Sequence, residues 1–473
     1  MCGIFGYFAL SNEASVMDTV TMENMAKSIR HRGPDGVGIY SLDGIAGIGN
    51  VRLSILDPEG GDQPFYSEDE NIVLVQNGEI FNFKELRSEL SSSGVSFKTN
   101  CDTEVLLKLY EKEGISFLDK LNGMFAIAIY HIDENKLLLA RDRVGEKPLY
   151  VSNSMDSLYF ASEIKAFLPY ISKEIDLNAI DAFLNLNYIP PPLTGFKGVS
   201  HIMPGHYLEI TKGGISDVEW WDLSSQEPKN NWDKEDWKKE FLVLLKNCVE
   251  KRLVSDVPFG AFLSGGVDSS AVVGFMSELL TEQVKTYTIG FPDKRFDESE
   301  YAEQASARFG TLHKKQEVDY DIVDEWADFI FHCDQPHGDV SFMPMRKVAS
   351  IAAQDVKMVL TGDGADELFA GYEKYANFIS ERELKKNDTT NYIDGFLPEI
   401  TLFEEMTRRE LWRDEYVDDI EFENHPSNET ASSGWSHPIY LFKEPVNVSP
   451  KQTAVVASLH NRSAPWFSLV KME

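Results

Sequence analysis

A glycine loop set between an apolar strand and a helix limits the fold of this chain more than any other feature. Phe259 to Leu263 reads as a buried strand, Ser264-Gly265-Gly266-Val267-Asp268-Ser269-Ser270 follows at once, and Ser269 to Leu280 has helical spacing. Ahead of them, Phe241 to Leu253 reads as an amphipathic helix. Helix, strand, glycine turn and helix in that order imply a parallel sheet with covering helices, because parallel strands need a crossover and a helix supplies it. The pattern returns at Met358-Val359-Leu360, a strand leading into Thr361-Gly362-Asp363-Gly364-Ala365-Asp366-Glu367, and Thr286 to Phe291 reads as a third strand. Loops at the carboxyl ends of such strands share one edge of the sheet, where ligands of open α/β sheets bind.

The chemistry of the first loop points to phosphate. Gly265 and Gly266 let backbone N–H groups approach an anion without a Cβ in the way, the hydroxyls of Ser264, Ser269 and Ser270 add donors, and the helix start adds partial positive charge. Asp268 opposes a bare phosphate and is accounted for if Mg2+ bridges its carboxylate to phosphate oxygens. No Lys-Ser/Thr pair follows the glycines, so the loop is not a Walker A motif. Asp363 and Asp366 bring further carboxylates to the same edge; taken alone, each acidic residue also reads as a helix cap.

The first half has a different character. From Cys2 to about Glu209 short strands rich in β-branched and aromatic residues dominate, among them Asn71 to Val75, Met124 to Ile132 and Lys136 to Ala140, with helical stretches such as Thr103 to Lys112. Between about Thr211 and Lys234 the chain turns to glycine, serine, asparagine, proline and tryptophan and reads as a linker. At 473 residues two domains are expected. In the run Met1-Cys2-Gly3-Ile4-Phe5-Gly6, removal of the initiator methionine makes Cys2 N-terminal, so its thiol would have a base, the α-amine of reference pKa about 8, on the same residue. The alternative is an ordinary cysteine opening a buried strand.

Charge narrows the partners. With 45 basic and 77 acidic residues the formal charge is -32, which argues against nucleic acid or an anionic membrane surface as a partner. Four cysteines, Cys2, Cys101, Cys248 and Cys333, form no CxxC pair, so neither a zinc site nor a disulfide framework is indicated. His332, Cys333 and His337 read as loop residues rather than as metal ligands. The start has no basic region and meets Glu13 and Asp18 early, and no apolar run reaches the length of a membrane span; a soluble cytoplasmic protein is expected.

Together these motifs resemble the glutamine-hydrolysing asparagine synthetase family. Cys2, Arg30-His31-Arg32-Gly33-Pro34-Asp35-Gly36, Arg52-Leu53-Ser54-Ile55, Gln76-Asn77-Gly78-Glu79-Ile80-Phe81-Asn82, Cys101-Asp102-Thr103-Glu104 and the run Arg141 to Tyr150 follow the family's order. The resemblance implies an α+β N-terminal nucleophile αββα sandwich over residues 2–210, a linker over 211–234 and an α/β PP-loop ATP pyrophosphatase domain over 235–424. It also assigns roles. Cys2 attacks the glutamine carboxamide, Asn77 and the Gly78 N–H form the oxyanion hole, Arg52 holds the substrate α-carboxylate, and Asp102 with Glu79 holds its ammonium group. Ser264, Gly265, Gly266, Asp268 and Ser269 hold pyrophosphate and metal, with Asp366 as a second metal carboxylate. Phe262, Ile289, Thr361 and Gly362 line the ATP site, and Asp363 is tied to adenylate formation. The implied reaction uses ATP and Mg2+ to activate aspartate as a β-aspartyl adenylate, then transfers ammonia from glutamine along a neutral tunnel, releasing AMP and pyrophosphate. The stretch Asp334 to Ser341 sits where relatives shape the aspartate pocket, and a homodimer is the family's suggestion.

The resemblance covers about residues 2 to 420. Runs of the K-V-D-R and E-x-R-x-P-F type are not found after Tyr416, and from His425 the chain is rich in serine, asparagine and proline. Residues 425–473 are therefore read as a divergent tail and the synthetase domain as incomplete. Two alternatives stay open: an amidotransferase acting on another carboxylate, and a glutaminase with an impaired synthetase half.

Overall fold

The computed structural model describes residues 1–12, 17–154, 156–225, 233–318, 322–369, 371–384 and 401–422. The first half is built on two antiparallel sheets. One has the strand order β10 (Val199–His201), β8 (Tyr150–Asn153), β9 (Ser157–Ala161), β1 (Gly3–Ala9), β3 (Ala46–Arg52), β2 (Gly36–Leu42). The other runs β12 (Gly214–Glu219), β11 (His206–Thr211), β7 (Lys136–Arg141), β6 (Gly123–His131), β5 (Ile72–Ile80), β4 (Phe65–Tyr66).

Strand periodicity explains why these strands read as nearly continuous apolar runs. Successive side chains point to opposite faces, and here both faces are covered. Val73, Val75, Ala126, Ala128, Leu137 and Leu139 point inward against Ile4, Phe8, Ala46 and Ile48 of the facing sheet. Their neighbours Leu74, Phe125, Ile127 and Leu138 point outward, under Phe83, Leu86 and Leu90 of the helix Phe83–Ser92 and Val105, Leu106 and Leu109 of the helix Asp102–Glu113. On the far side Met22, Met25 and Ala26 of the helix Thr19–Ser28 cover Phe5 and Tyr7. The layers are helix, sheet, sheet, helix.

The second half carries a parallel sheet in the order β15 (Leu312–Glu317), β14 (Lys285–Gly290), β13 (Phe259–Phe262), β16 (Met358–Leu360). Val273 and Met276 of the helix Val267–Leu279 and Ala302 of the helix Ser299–Phe309 pack with Ala261, Met358 and Leu360. Val348, Ile351 and Ala352 of the helix Phe342–Ala352 pack with Phe262, Tyr287 and Val359. Among the described residues no helix is long and apolar enough to cross a membrane.

Three expectations need correction or extension. Residues 211–219 are not linker: β12 pairs with β11 along its whole length, from His206 opposite Glu219 to Thr211 opposite Gly214. As an edge strand with almost every residue exposed it has no apolar face to announce it. The helix over 241–253 spans Lys234–Arg252 and is not amphipathic as expected: Phe241, Leu242, Val243 and Leu244 are exposed, while Val249 is buried. Four consecutive residues run right round a helix, so no single face can bury them. Residues 401–422 pack on the first half, with the buried Arg408 guanidinium 3.0 Å from Asp181 and the Trp412 indole N–H donating to the same carboxylate at 3.1 Å. The tail expected over 425–473 lies outside the described residues.

Candidate active site

Cys2 stands at the entrance to β1, where its thiol meets the backbone of Leu53: the Leu53 N–H lies 3.4 Å from Sγ, and Sγ–H points to the Leu53 carbonyl at 3.6 Å. Its own carbonyl accepts the Arg32 Nε–H at 3.0 Å. Asn77, on β5 of the facing sheet, is brought to the start of β1 by Ser162. The Ser162 hydroxyl accepts from the Asn77 side-chain amide at 3.2 Å and from the Ile4 N–H at 3.0 Å, two residues beyond the thiol. A second strut, Asn50 Nδ2 to the Gln76 carbonyl at 2.9 Å, ties β3 to β5. Gly78 has to be glycine, since a Cβ there would lie 2.1 Å from the Met124 carbonyl oxygen.

Arg52 ends β3 with its guanidinium buried and both terminal nitrogens engaged. Nη1 donates to Asp62 at 2.7 Å and the Pro58 carbonyl at 3.1 Å, and Nη2 to the carbonyls of Leu56 at 3.0 Å and Asp57 at 2.7 Å. The Asp62 carboxylate is the exposed member, 82% accessible, and an incoming carboxylate can replace it without leaving a buried charge unpaired. Asp102 opens the helix Asp102–Glu113 and is buried, accepting from the Ile80 N–H at 2.9 Å and the Gln76 amide at 3.3 Å. Burial, and next the charge of Glu79, push its carboxyl up to about 6. A cation brought beside this buried carboxylate and its like-charged neighbour would relieve their repulsion.

In the parallel sheet, β13 lies between β14 and β16, so the loops leaving Phe262 and Leu360 flank the point where the connections change direction. Gly265 takes φ +84°, and its backbone presses on Tyr301 and Ala302 so closely that a Cβ would sit 2.3 Å from the Tyr301 carbonyl carbon. Within the loop the Ser264 and Ser269 hydroxyls are 3.0 Å apart and the Gly266 N–H donates to Ser264 Oγ at 3.2 Å. Gly266 caps the helix Val267–Leu279 without any side-chain hydrogen bond, so the first-turn N–H groups are left to a ligand or water.

The second loop closes on the first. Gly362 lies against the Asp268–Ser269 backbone, where a Cβ would be 2.6 Å from the Ser269 N. The Asp363 N–H turns toward Thr361 Oγ1 at 3.4 Å, and Asp363 itself is exposed. Asp366 stands in the first turn of the helix Ala365–Phe369. The Asp268 carboxyl is raised, by burial first and then by Asp366. Phe262 is buried and Ile289 half-buried, at the ends of adjacent strands. Among the described residues no group of three or more His, Cys, Asp or Glu side chains converges on one point. A cation at Asp268 and Asp366 would therefore complete its shell with phosphate oxygens and water.

The two sites meet in one apolar cluster. Leu53 and Ile55 from the first half, with Cys2 against them, pack with Val249, Ala261 and Leu263, and Leu263 immediately precedes the phosphate-type loop. Residues that sequence reasoning missed are the supports: Ser162 for Asn77, Asp62 for Arg52, and Glu163, which pairs with Arg32 at 2.8 Å. The signal for Ser162 and Glu163 was the polar pair closing the apolar strand β9 directly beside β1. His332 packs its ring edge on His31 at 4.6 Å, His337 on Phe342 at 5.9 Å, and burial pushes the Cys333 thiol up to about 12.

Comparison with known proteins bears on both halves. The family described as "Glutamine amidotransferase domain" matches residues 1–221, and the family described as "Asparagine synthase" matches residues 240–460, running past residue 425. Asparagine synthetase [glutamine-hydrolyzing] 1 of Bacillus subtilis is 35% identical over 392 residues, covering 82% of this chain and 61% of its own length. Putative asparagine synthetase [glutamine-hydrolyzing] 2 of Methanocaldococcus jannaschii is 36% identical over 405 residues, covering 80% and 76%. Asparagine synthetase B [glutamine-hydrolyzing] of Escherichia coli is 32% identical over 409 residues, covering 81% and 67%. The chain thus spans about three fifths to three quarters of the length of these relatives.

Proposed function

Because the chain belongs to the glutamine-hydrolysing asparagine synthetase family, we propose that it releases ammonia from glutamine at Cys2 and adds it to aspartate activated by ATP at the Ser264–Ser269 loop. The observation that carries this reading is the apolar cluster joining Cys2, Leu53 and Ile55 to Leu263. Ammonia is the nucleophilic form and ammonium is not, and apolar packing between the sites favours passage of the neutral molecule because it offers a charge no solvation.

In the first step Sγ of Cys2 attacks the carboxamide carbon while the α-amine freed by loss of Met1 takes the thiol proton and passes it to the leaving nitrogen. A glutamyl thioester forms and ammonia leaves; water then releases glutamate. The Asn77 amide and the Gly78 N–H face the developing oxyanion, and losing such a donor typically costs about 3 kcal/mol. Arg52 exchanges Asp62 for the substrate carboxylate, and Asp102 and Glu79 take its ammonium group.

In the second half Ser264, Gly265, Gly266 and Ser269 hold the phosphates, with Phe262, Ile289, Thr361 and Gly362 around the nucleotide. Mg2+, where bound, neutralises phosphate charge, and the like-charged pair Asp268 and Asp366 fits its requirement for hard oxygen ligands. The aspartate side-chain carboxylate displaces pyrophosphate from ATP, with Asp363 beside the reaction, and ammonia displaces AMP from the resulting adenylate to give asparagine. A homodimer working in the cytoplasm completes the reading. The test supplies the purified chain with ATP, Mg2+ and aspartate, and nitrogen as glutamine or as ammonium. Asparagine and pyrophosphate from both sources are expected; glutamate release without pyrophosphate in either case refutes the synthetase half of the proposal.

A further inference from the structure

A chain of four charges of alternating sign crosses from one half of the molecule to the other and ends on the nucleophile residue. Arg32 Nε donates to the Cys2 carbonyl at 3.0 Å and Nη1 pairs with Glu163 at 2.8 Å. Glu163 also takes the Lys165 ammonium and the His31 ring at 2.9 Å. The Lys165 ammonium reaches Asp334 at 2.7 Å, and the other Asp334 oxygen accepts the Ile164 N–H at 2.6 Å. The side chains of Arg32, Glu163, Lys165 and Asp334 are between 5% and 10% accessible. Buried charges are costly to leave unpaired, so a shift at one end must be answered along the chain.

Asp334 belongs to the second half. It follows the helix Ile322–Cys333 directly, at φ +65°, and begins the loop leading to the helix Phe342–Ala352, which packs on Phe262. Two hydrogen bonds hold that loop to the first half: the Gln335 side-chain Oε1 accepts the Gly195 N–H at 3.1 Å, and the Gly338 N–H donates to the Asn187 carbonyl at 3.2 Å.

The Cys2 end needs such support. Once Met1 is removed, Cys2 has no preceding peptide, and on its own backbone the carbonyl is the group left to fix how its thiol and amine project. We propose that Asp334 and Lys165 are positioning residues for the nucleophile: acting through Glu163 and Arg32 they set the Cys2 carbonyl, so that a residue of the synthetase half holds the amidotransferase thiol in attacking orientation. This rests on the reading of Cys2 as the glutaminase nucleophile. It makes the acceptor-side loop a place from which glutamine hydrolysis is tuned.

The test measures glutamate release by the full chain and its Asp334→Asn, Lys165→Met and double variants, with Lys165→Arg and Asp334→Glu as conservative partners. Misdirecting a reacting group lowers turnover rather than binding, so each single variant is expected to lose about 10-fold in kcat with the glutamine KM within about twofold. The double variant is expected to lose no more than the single ones, and alkylation of Cys2 by iodoacetamide should slow in parallel. Lys165→Arg should keep most of the activity. Asp181→Asn, which breaks the other buried pair between the halves at Arg408, should leave kcat within about twofold. Wild-type kcat in folded Asp334→Asn or Lys165→Met protein, or additive losses for Asp334 and Lys165, overturns the inference alone. Failure of the wild-type chain to release glutamate overturns the nucleophile reading and the inference with it.

Discussion

Replacing Ser162 by alanine removes one oxygen and tests whether Asn77 is held for catalysis or merely buried. A hydroxyl has two acceptor lone pairs, and Ser162 has two donors on it, the Ile4 N–H at 3.0 Å and the Asn77 amide at 3.2 Å, with all three residues no more than 1% accessible. Each buried donor left without an acceptor costs about 1–3 kcal/mol, so Ser162→Ala should destabilise the protein by about 3 kcal/mol in urea unfolding. The catalytic cost is separate. With one amide N–H on Ser162, the other is left for the oxyanion in the proposed mechanism, and losing that aim forfeits part of a donor whose full removal costs roughly 100-fold or more in kcat. Since the Gly78 N–H remains, about a tenfold fall in glutaminase kcat is expected, with KM for glutamine little changed. In an Asn77→Ala background the same substitution should cost nothing further in kcat. Turnover within about twofold of wild type in folded Ser162→Ala protein, or a full additional loss in the double variant, would refute the argument.

Asp102 predicts a pH dependence. Its carboxyl, lifted from 3.8 to about 6, accepts the substrate ammonium only when ionised, so KM for glutamine should rise as pH falls from 7 to 5, and Asp102→Asn should raise KM and flatten that profile. For the free protein the sign runs the other way: the raised value means stability present below the ordinary carboxylate range is lost as pH rises through about 6, by about 3 kcal/mol. Urea unfolding of Asp102→Asn at pH 5 and 8 should show the variant gaining on wild type at the higher pH. Asp268→Asn should abolish pyrophosphate release from ATP and aspartate while glutamate release stays within about twofold of wild type, because the substitution removes one member of the Asp268 and Asp366 pair without touching Cys2. Met1 is buried, with its sulfur 3.6 Å from the Lys147 ammonium; protein shown by mass to retain it should release no glutamate, and turnover should track the processed fraction.

What the sequence disclosed and what it hid follow one physical rule. Local rules mark elements whose cause is local: the glycine loop at 264–266 is legible because φ +84° at Gly265 and its press on Tyr301 demand glycine, and β5, β6 and β7 are legible because both their faces are buried. β12 and β15 were not, since an edge strand such as Leu-His-Lys-Lys-Gln-Glu at 312–317 has little burial to shape its composition. The supports of the site are equally hidden. Ser162, Asp62 and Glu163 matter through partners 85, 10 and 131 residues away, distances that periodicity and turn chemistry do not reach. The resemblance to a family supplied the groups proposed to face the substrate; what holds those groups had to come from the packing.

Two connections leave Cys2, and their opposite chemistry suits opposite tasks. The apolar one passes Leu53 and Ile55 to Leu263, side chains that offer an ammonium ion no hydrogen-bond acceptor. The charged one passes Arg32, Glu163 and Lys165 to Asp334, and it resists displacement at any link because every break strands a buried charge. The two meet on Cys2, the charged one at its carbonyl and the apolar one at its thiol, where the Leu53 backbone N–H lies 3.4 Å from Sγ. On the proposed reading, a change in how the halves meet would act on the nucleophile and on the apolar cluster beyond it together. Were the charged residues placed along the path instead, they would trap ammonium; were the apolar ones placed in the chain, nothing would transmit position.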